Sequence, residues 1–346
     1  LANTLLLIPL LLATFLPPAL LAAEEKPPVN VLVVGWDGTR LARLETLLKK
    51  GKLPNLAALI KKGSFVPVTI QKAKTDTKAG WAEIFTGYDA SINKVRNNRQ
   101  YESIPMNLTL WERLKAKFGA GITNVMIVAK PTHLGIREKH NVCINCISRL
   151  EGNRELSEWW NEAKFPPTRK KGEERKLAPR YGEPFMNAAR AIDFYKDDVG
   201  GGPKVLALAL EQLAKLQGKS FFAFVHFEEP DEQGHLFGEH SKQYSEGLIN
   251  DDKNLGALLK QVETLGLGKN LKVFVMADHG FDIIGSGRVD DREHDTDASR
   301  STFLASSEPG FRKKNGDRRD FVPTVLKMYG IDPASFTPSL QGKPYF

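Results

Sequence analysis

The chain has 346 residues, 41% hydrophobic and 26% charged, which is enough apolar material for a large buried core. Its 29 Gly and 20 Pro are ordinary counts, so collagen-like and wholly disordered chains are excluded. The formal net charge of +8 permits attraction to anionic partners, but that charge is dispersed. The densest basic run, KFPPTRKKGEERKLAPR at 164–180, contains Pro, Gly and Glu and reads as a solvated loop, so no dedicated nucleic-acid partner is expected.

Residues 1–23 carry no charged side chain and run into EEKPP at 24–28. An apolar stretch that ends in small residues resembles a secretory leader, although a basic start is missing. Pro17 and Pro18 argue against a buried first helix. The expectation is a signal peptide at 1–23 and a periplasmic or secreted protein. A retained membrane anchor is the rival reading, and transient membrane contact stays open. No later segment is apolar over the 18 or so residues that a span requires.

VNVLVVGWDG at 29–38 is a β-branched apolar run, predicted to be a fully buried strand that delivers Asp37 at its carboxyl edge. Over 41–59 the period changes to that of a helix, broken at 51–54. TDTKAGWAEIFTG at 75–87 puts Thr77 just ahead of a helical segment. There it is either an ordinary N-cap or a hydroxyl at a helix end that also favours phosphate. Buried runs recur at 122–129, 221–227 and 271–277, with helical patterns at 187–196, 204–217, 241–263 and 320–330. Strands alternating with helices predict an α/β fold with a mostly parallel central sheet covered by helices on both faces. Residues 138–183 break this rhythm and read as an insertion or cap. They hold Cys143 and Cys146, two thiols that read as a local clip and are too few for a four-ligand zinc site.

Ligands of such a sheet bind beyond the carboxyl ends of its strands, and the polar residues fall there. Asp278 and His279 follow the run at 271–277. Asp231 and His235 follow the run at 221–227 and are four apart, as on one helical turn. Gly234 and Gly238 instead predict a tight loop. A third cluster at 287–302 contains His294. Each cluster alone is unremarkable as a turn or solvated loop. With Asp37 they supply three Asp and three His, a set suited to two neighbouring divalent ions, Zn first, with Mn or Mg as alternatives.

In order and spacing, from about residue 29 to 335, the chain resembles the alkaline phosphatase superfamily. Within it, the resemblance is to the branch of type I phosphodiesterases/nucleotide pyrophosphatases and sulfatases. This implies an alkaline-phosphatase-like sandwich, and a single metal-dependent hydrolase domain at 24–346 with an insertion or cap at about 138–183. It implies one metal held by Asp37, Asp278 and His279. PDEQGH at 230–235 gives Asp231 and His235 to a second metal, with His294 as its distal histidine. The family nucleophile sits nine residues before a Thr-Gly pair, which here is Thr77, itself a metal ligand. An asparagine 21 residues further on, which touches a non-bridging phosphoryl oxygen, corresponds to Asn98, with Asn97 as a close competitor. Lys130 and His133 resemble the Lys and His of the sulfatase GKWHLG segment, with one extra residue between them, and would contact a tetrahedral oxyanion. Asp252 matches a structural helix residue.

The implied activity is hydrolysis of a small-molecule or envelope-derived phosphate ester, a diester or a monoester, through a covalent phosphothreonine on Thr77. Two departures bear on this. Formylglycine sulfatases require Cys or Ser in C/S-x-P-x-R, and TKAGW at 77–81 has no residue that can form formylglycine. The diesterase pattern T-F-P-N is replaced by Thr77, Lys78, Ala79 and Gly80, which leaves the ester preference open. The alternatives are hydrolysis of sulfate or phosphonate esters without formylglycine, and phosphoryl transfer in the envelope.

Overall fold

The computed structural model describes residues 27–71, 73–130, 133–137, 182–282 and 296–346, with the backbone of 141–143 and 177–179. The leader at 1–23, Cys146, most of the 138–183 insertion and His294 lie outside the described residues.

The strands, in chain order, are β1 (Asn30–Trp36), β2 (Ser64–Thr69), β3 (Thr123–Val128), β4 (Asn141–Cys143), β5 (Leu177–Pro179), β6 (Phe194–Lys196), β7 (Phe221–Phe227), β8 (Leu271–Met276) and β9 (Ser301–Ser306). The helices are α1 (Leu41–Lys49), α2 (Pro54–Lys62), α3 (Thr77–Thr86), α4 (Ala90–Asn93), α5 (Leu110–Phe118), α6 (Gly202–Lys215), α7 (Glu229–Phe237), α8 (Lys242–Thr264) and α9 (Phe321–Met328). Among the described residues, seven strands form one sheet in the order β2-β9-β8-β1-β7-β3-β6, while β4 and β5 pair separately as an antiparallel ribbon. The sheet is parallel from β8 to β6, and only β9 runs against its neighbours.

Alternation along β1 divides the core. Val31 and Val33 face a layer built from α3, α5 and α9, and Leu32, Val34 and Trp36 face a layer of α1, α2, α6 and α8. A strand buried on both faces is apolar at most positions, which explains the hydrophobic runs of β1, β7 and β8, interrupted by His226 in β7 and by Lys272 in β8. Each fully buried Val, Leu or Phe contributes about 1.5–3 kcal/mol. Asp252 on α8 is structural: its carboxylate accepts the N–H groups of Asn55 and Leu56 and caps α2, whose own N-cap, Leu53, has no capping side chain.

Two expectations need correction, and two strands of the sheet, β2 and β9, have no counterpart among the predicted runs. The helix predicted over 187–196 is a 3₁₀ segment at Met186–Ala191 followed by β6, because Phe194–Lys196 pairs with Val125–Ile127 at the sheet edge. β2 and β9 carry no long apolar run. β2 is an edge strand that tolerates Pro67, and β9 begins and ends on Ser. The tight loop predicted around Gly234 is helix α7. Pro230 and three acidic residues occupy its first turn, Gly238 stops it with φ +83°, and Gly234 lies inside it because Phe281 packs there. Among the described residues no helix is long and apolar enough to cross a membrane.

Every residue of α3 is buried, and two glycines let it approach the sheet that closely. A Cβ on Gly35 would lie 2.6 Å from Trp81 Cη2, and one on Gly80 2.7 Å from the Cβ of Asp278. Gly35→Ala is therefore expected to destabilise the protein by about 1–3 kcal/mol through overpacking. Gly268→Ala, where a Cβ meets nothing within 4 Å, should stay within about 0.5 kcal/mol. Urea unfolding of both variants against the parent protein measures the difference.

Candidate active site

The parallel strands β8, β1, β7 and β3 end at one edge of the sheet, and each end bears a polar residue. Asp37 follows β1, Asp278 and His279 follow β8, Lys130 lies two residues past β3, and β7 leads into α7 with Asp231 and His235. Asp37, Asp231, Asp278 and His279 are all at most 3% exposed. The ligand atoms of Asp37, Asp278 and His279 lie within 4.8 Å of one another, so these three residues form a cluster that could hold a metal ion.

The spacing supports that fit. Bonds of 2.0–2.2 Å to a tetrahedral ion separate its ligand atoms by about 3.4 Å. His279 Nε2 lies 3.4 Å from Asp37 Oδ1, 3.5 Å from Asp278 Oδ2 and 3.5 Å from Thr77 Oγ1. Those two carboxylate oxygens, Asp37 Oδ1 and Asp278 Oδ2, are buried without a hydrogen-bond partner. His279 Nδ1 lies 2.7 Å from the Gly280 carbonyl, which fixes the ring so that Nε2 faces the carboxylates. His235 Nε2 lies 3.3 Å from Asp231 Oδ2, again at the spacing of two ligands of one ion.

Lys130 stands between the two groups. Its ammonium pairs with Asp37 Oδ2 at 2.9 Å and also with Asp231 Oδ2. Burial disfavours that charge, but Asp231 and Asp37 outweigh burial and hold Lys130 firmly protonated. Burial raises the Asp37 carboxyl, and Lys130 with His226 more than offsets this and holds it well below the usual carboxylate range. Asp278 lacks such a contact. Burial, reinforced by the neighbouring Asp37 charge, pushes it up to about 8. Burial opposes the charge on His279, yet Asp278, Asp231 and Asp37 draw its pKa upward. The cluster is short of positive charge.

α3 brings Thr77 to the cluster. Asp76 is its extended N-cap residue and Gly87, in the left-handed region, ends it. Asn98 lies against this helix start, its Oδ1 accepting the Lys78 N–H at 2.9 Å. Asn97 points elsewhere: its Oδ1 accepts the N–H groups of Arg99 and Gln100 within its own turn. His133 is partly buried on the loop after β3.

Two residues that sequence reasoning missed complete the support. His226, fully buried on β7, lies with Nε2 2.9 Å from Asp37 Oδ2. The only signal for it is a histidine inside an apolar strand. Arg318 reaches back from the chain's last fifth to donate to the Asp278 carbonyl at 2.8 Å, while pairing with Glu83 of α3 at 2.7 Å. It thereby ties α3 to the end of β8, a contact without local pattern.

The fold is that of a solved member of the alkaline phosphatase superfamily. Two solved structures align over nearly the whole chain. A superfamily member from Vibrio parahaemolyticus has a TM-score of 0.55 at 14% identity, covering 93% of this chain and 70% of that one. Murine ectonucleotide pyrophosphatase/phosphodiesterase 5 has a TM-score of 0.54 at 15% identity, covering 91% and 97%. Residues 31–297 match the type I phosphodiesterase/nucleotide pyrophosphatase family, and the chain belongs to that family. It is 24% identical over 213 residues to the bis(5'-adenosyl)-triphosphatase ENPP4 of Bos taurus, which covers 53% of this chain and 45% of that protein. The chain thus spans less than half of that relative's length. In a member of this family, Asp37, Asp278 and His279 thus form a cluster that could hold a metal ion.

A carboxyl must be ionised to bind a metal. Without metal, Asp278 is protonated below about pH 8, so binding there expels a proton, and His279 must release any proton it carries. Metal affinity at this cluster is therefore expected to rise with pH between about 6 and 8, by up to about tenfold per unit for each proton released. Competition with a chromophoric chelator on stripped protein measures it. An affinity flat across that window would contradict the assignment.

Proposed function

We propose that the protein hydrolyses phosphate esters in two steps through a covalent phosphothreonine on Thr77. The observation that carries this reading is that Thr77 Oγ1 stands 3.5 Å from His279 Nε2, the separation at which the two ligand carboxylates stand. We assign one divalent ion to Asp37, Asp278, His279 and Thr77, and a second to Asp231, His235 and His294, with zinc as the best match to this Asp/His set and manganese or magnesium as alternatives. When bound, such ions supply Lewis acids that stabilise the attacking and leaving oxygens of an in-line displacement.

The protein's own groups do the rest. Thr77 Oγ attacks phosphorus at the N-terminus of α3, where the helix dipole favours an anion. The bond from phosphorus to the leaving alcohol breaks as the bond to Thr77 forms. Asn98 and the Lys130 ammonium face the charge on the equatorial oxygens. Asp37 and Asp231 hold Lys130 in place, and His226 orients Asp37. Water then attacks the phosphothreonine, releases phosphate and restores the hydroxyl.

The substrate is a small-molecule or envelope-derived ester met outside the cytoplasm, after removal of residues 1–23. We assign residues 24–346 to one domain, and the choice between mono- and diesters to the insertion at about 138–183. Dinucleoside polyphosphates of the kind named for ENPP4 belong to the candidate set.

The test is metal-loaded protein assayed on matched 4-nitrophenyl mono-, di- and sulfate esters and on bis(5'-adenosyl) triphosphate. Turnover of a phosphate ester is expected, with Thr77→Ala lowering kcat by at least about a thousandfold. A Thr77→Ala protein with full activity would remove the nucleophile. Metal analysis should give two ions per chain; one ion with full activity would remove the second site.

A further inference from the structure

Lys78, the residue after Thr77, is 1% exposed. A buried ammonium is costly unless protein groups replace its water, so its partners report what it holds. Two of them lie on one loop. Lys78 Nζ donates to the Asn98 carbonyl at 2.9 Å and sits 4.6 Å from the centre of the Tyr101 ring. The Lys78 backbone N–H donates to Asn98 Oδ1, also at 2.9 Å. Asn98's own N–H meets the carboxylate of Asp76, the N-cap residue of α3. Asn98 is thus gripped at its N–H, its C=O and its amide oxygen by the two residues that flank Thr77.

This grip decides which end of the Asn98 amide is presented. A helix N–H can be satisfied only by an acceptor, so the Lys78 N–H selects Oδ1 and turns Nδ2 to the opposite side. The turn around Asn98 is closed by the Val95–Tyr101 bridge and by the Arg96 and Asn97 N–H groups donating to the Gln100 carbonyl, but none of these bonds reaches α3. Tyr101 closes over the same ammonium, so Lys78 joins both ends of the turn to α3.

We propose that Lys78 is a positioning residue for phosphoryl transfer, its buried ammonium clamping the Asn98 loop onto the first turn of α3 so that the Asn98 amide, oriented by the Lys78 backbone N–H, is held at the phosphoryl group. This rests on the Asn98 contact assigned in the preceding section.

Lys78→Met keeps the length and removes the charge. In metal-loaded protein its kcat on a 4-nitrophenyl phosphate ester is expected to fall by about 10–100-fold, the scale of a small misplacement. KM and bound metal should change little, and Lys78→Arg should recover part of the loss. In an Asn98→Ala background Lys78→Met should cost less than about twofold more, because the group it positions is gone. Losses that multiply in the double variant, with Asn98→Ala itself impaired, overturn the clamp and leave the Asn98 contact standing. An Asn98→Ala protein with unchanged kcat overturns both. A folded Lys78→Met protein with parental kcat overturns the clamp. Should circular dichroism show that Lys78→Met does not fold, Tyr101→Leu, which removes the ring beside the ammonium, replaces it in the same cycle. Its loss should vanish in the Asn98→Ala background, and a persistent loss overturns the clamp.

Discussion

Three carboxylates, Asp37, Asp231 and Asp278, are buried side by side at the end of a sheet. Like charges in a low-dielectric interior repel strongly, and each has lost its water, so the arrangement persists only with positive charge among them. Lys130 supplies one such charge, shared between Asp37 and Asp231. Asp278 is left without a share, and its carboxyl is the one raised to about 8. The deficit falls where His279, Thr77 and two unpartnered oxygens converge. The repulsion within the cluster becomes attraction when a cation enters.

Placing those carboxylates required the chain to gather distant segments, and parallel strands do this economically. Each strand that enters from the same side delivers its next residues to the same edge. That geometry made much of the site readable beforehand. An apolar run followed by Asp, by Asp-His, or by Lys places those residues together whatever lies between. Asp37, Asp278, His279 and Lys130 were legible for this reason. α7 was harder, because its glycines favour a turn until Phe281 is known to pack against one of them.

What stayed hidden has a physical reason in each case. His226 sits inside β7, where pattern reads only burial, and its role exists only because Gly35 pairs beside it in register next to Asp37. β2 and β9 owe their pairing to each other across more than 230 residues, and neither has the apolar density of a central strand. Asn97 and Asn98 cannot be separated by counting. A local turn captures the Asn97 side chain and frees Asn98 to meet α3. Long-range contacts of this kind have no local signature.

The guanidinium of Arg318 joins residues 83, 278 and 318 in one contact. During synthesis, Asp37 and Thr77 therefore emerge long before the residue that ties α3 to the end of β8. The nascent chain can form early helices, but it cannot close its most charged region until nearly all of it has left the ribosome. A chain stopped before residue 318 would lack the guanidinium that ties α3, and with it Thr77, to the end of β8.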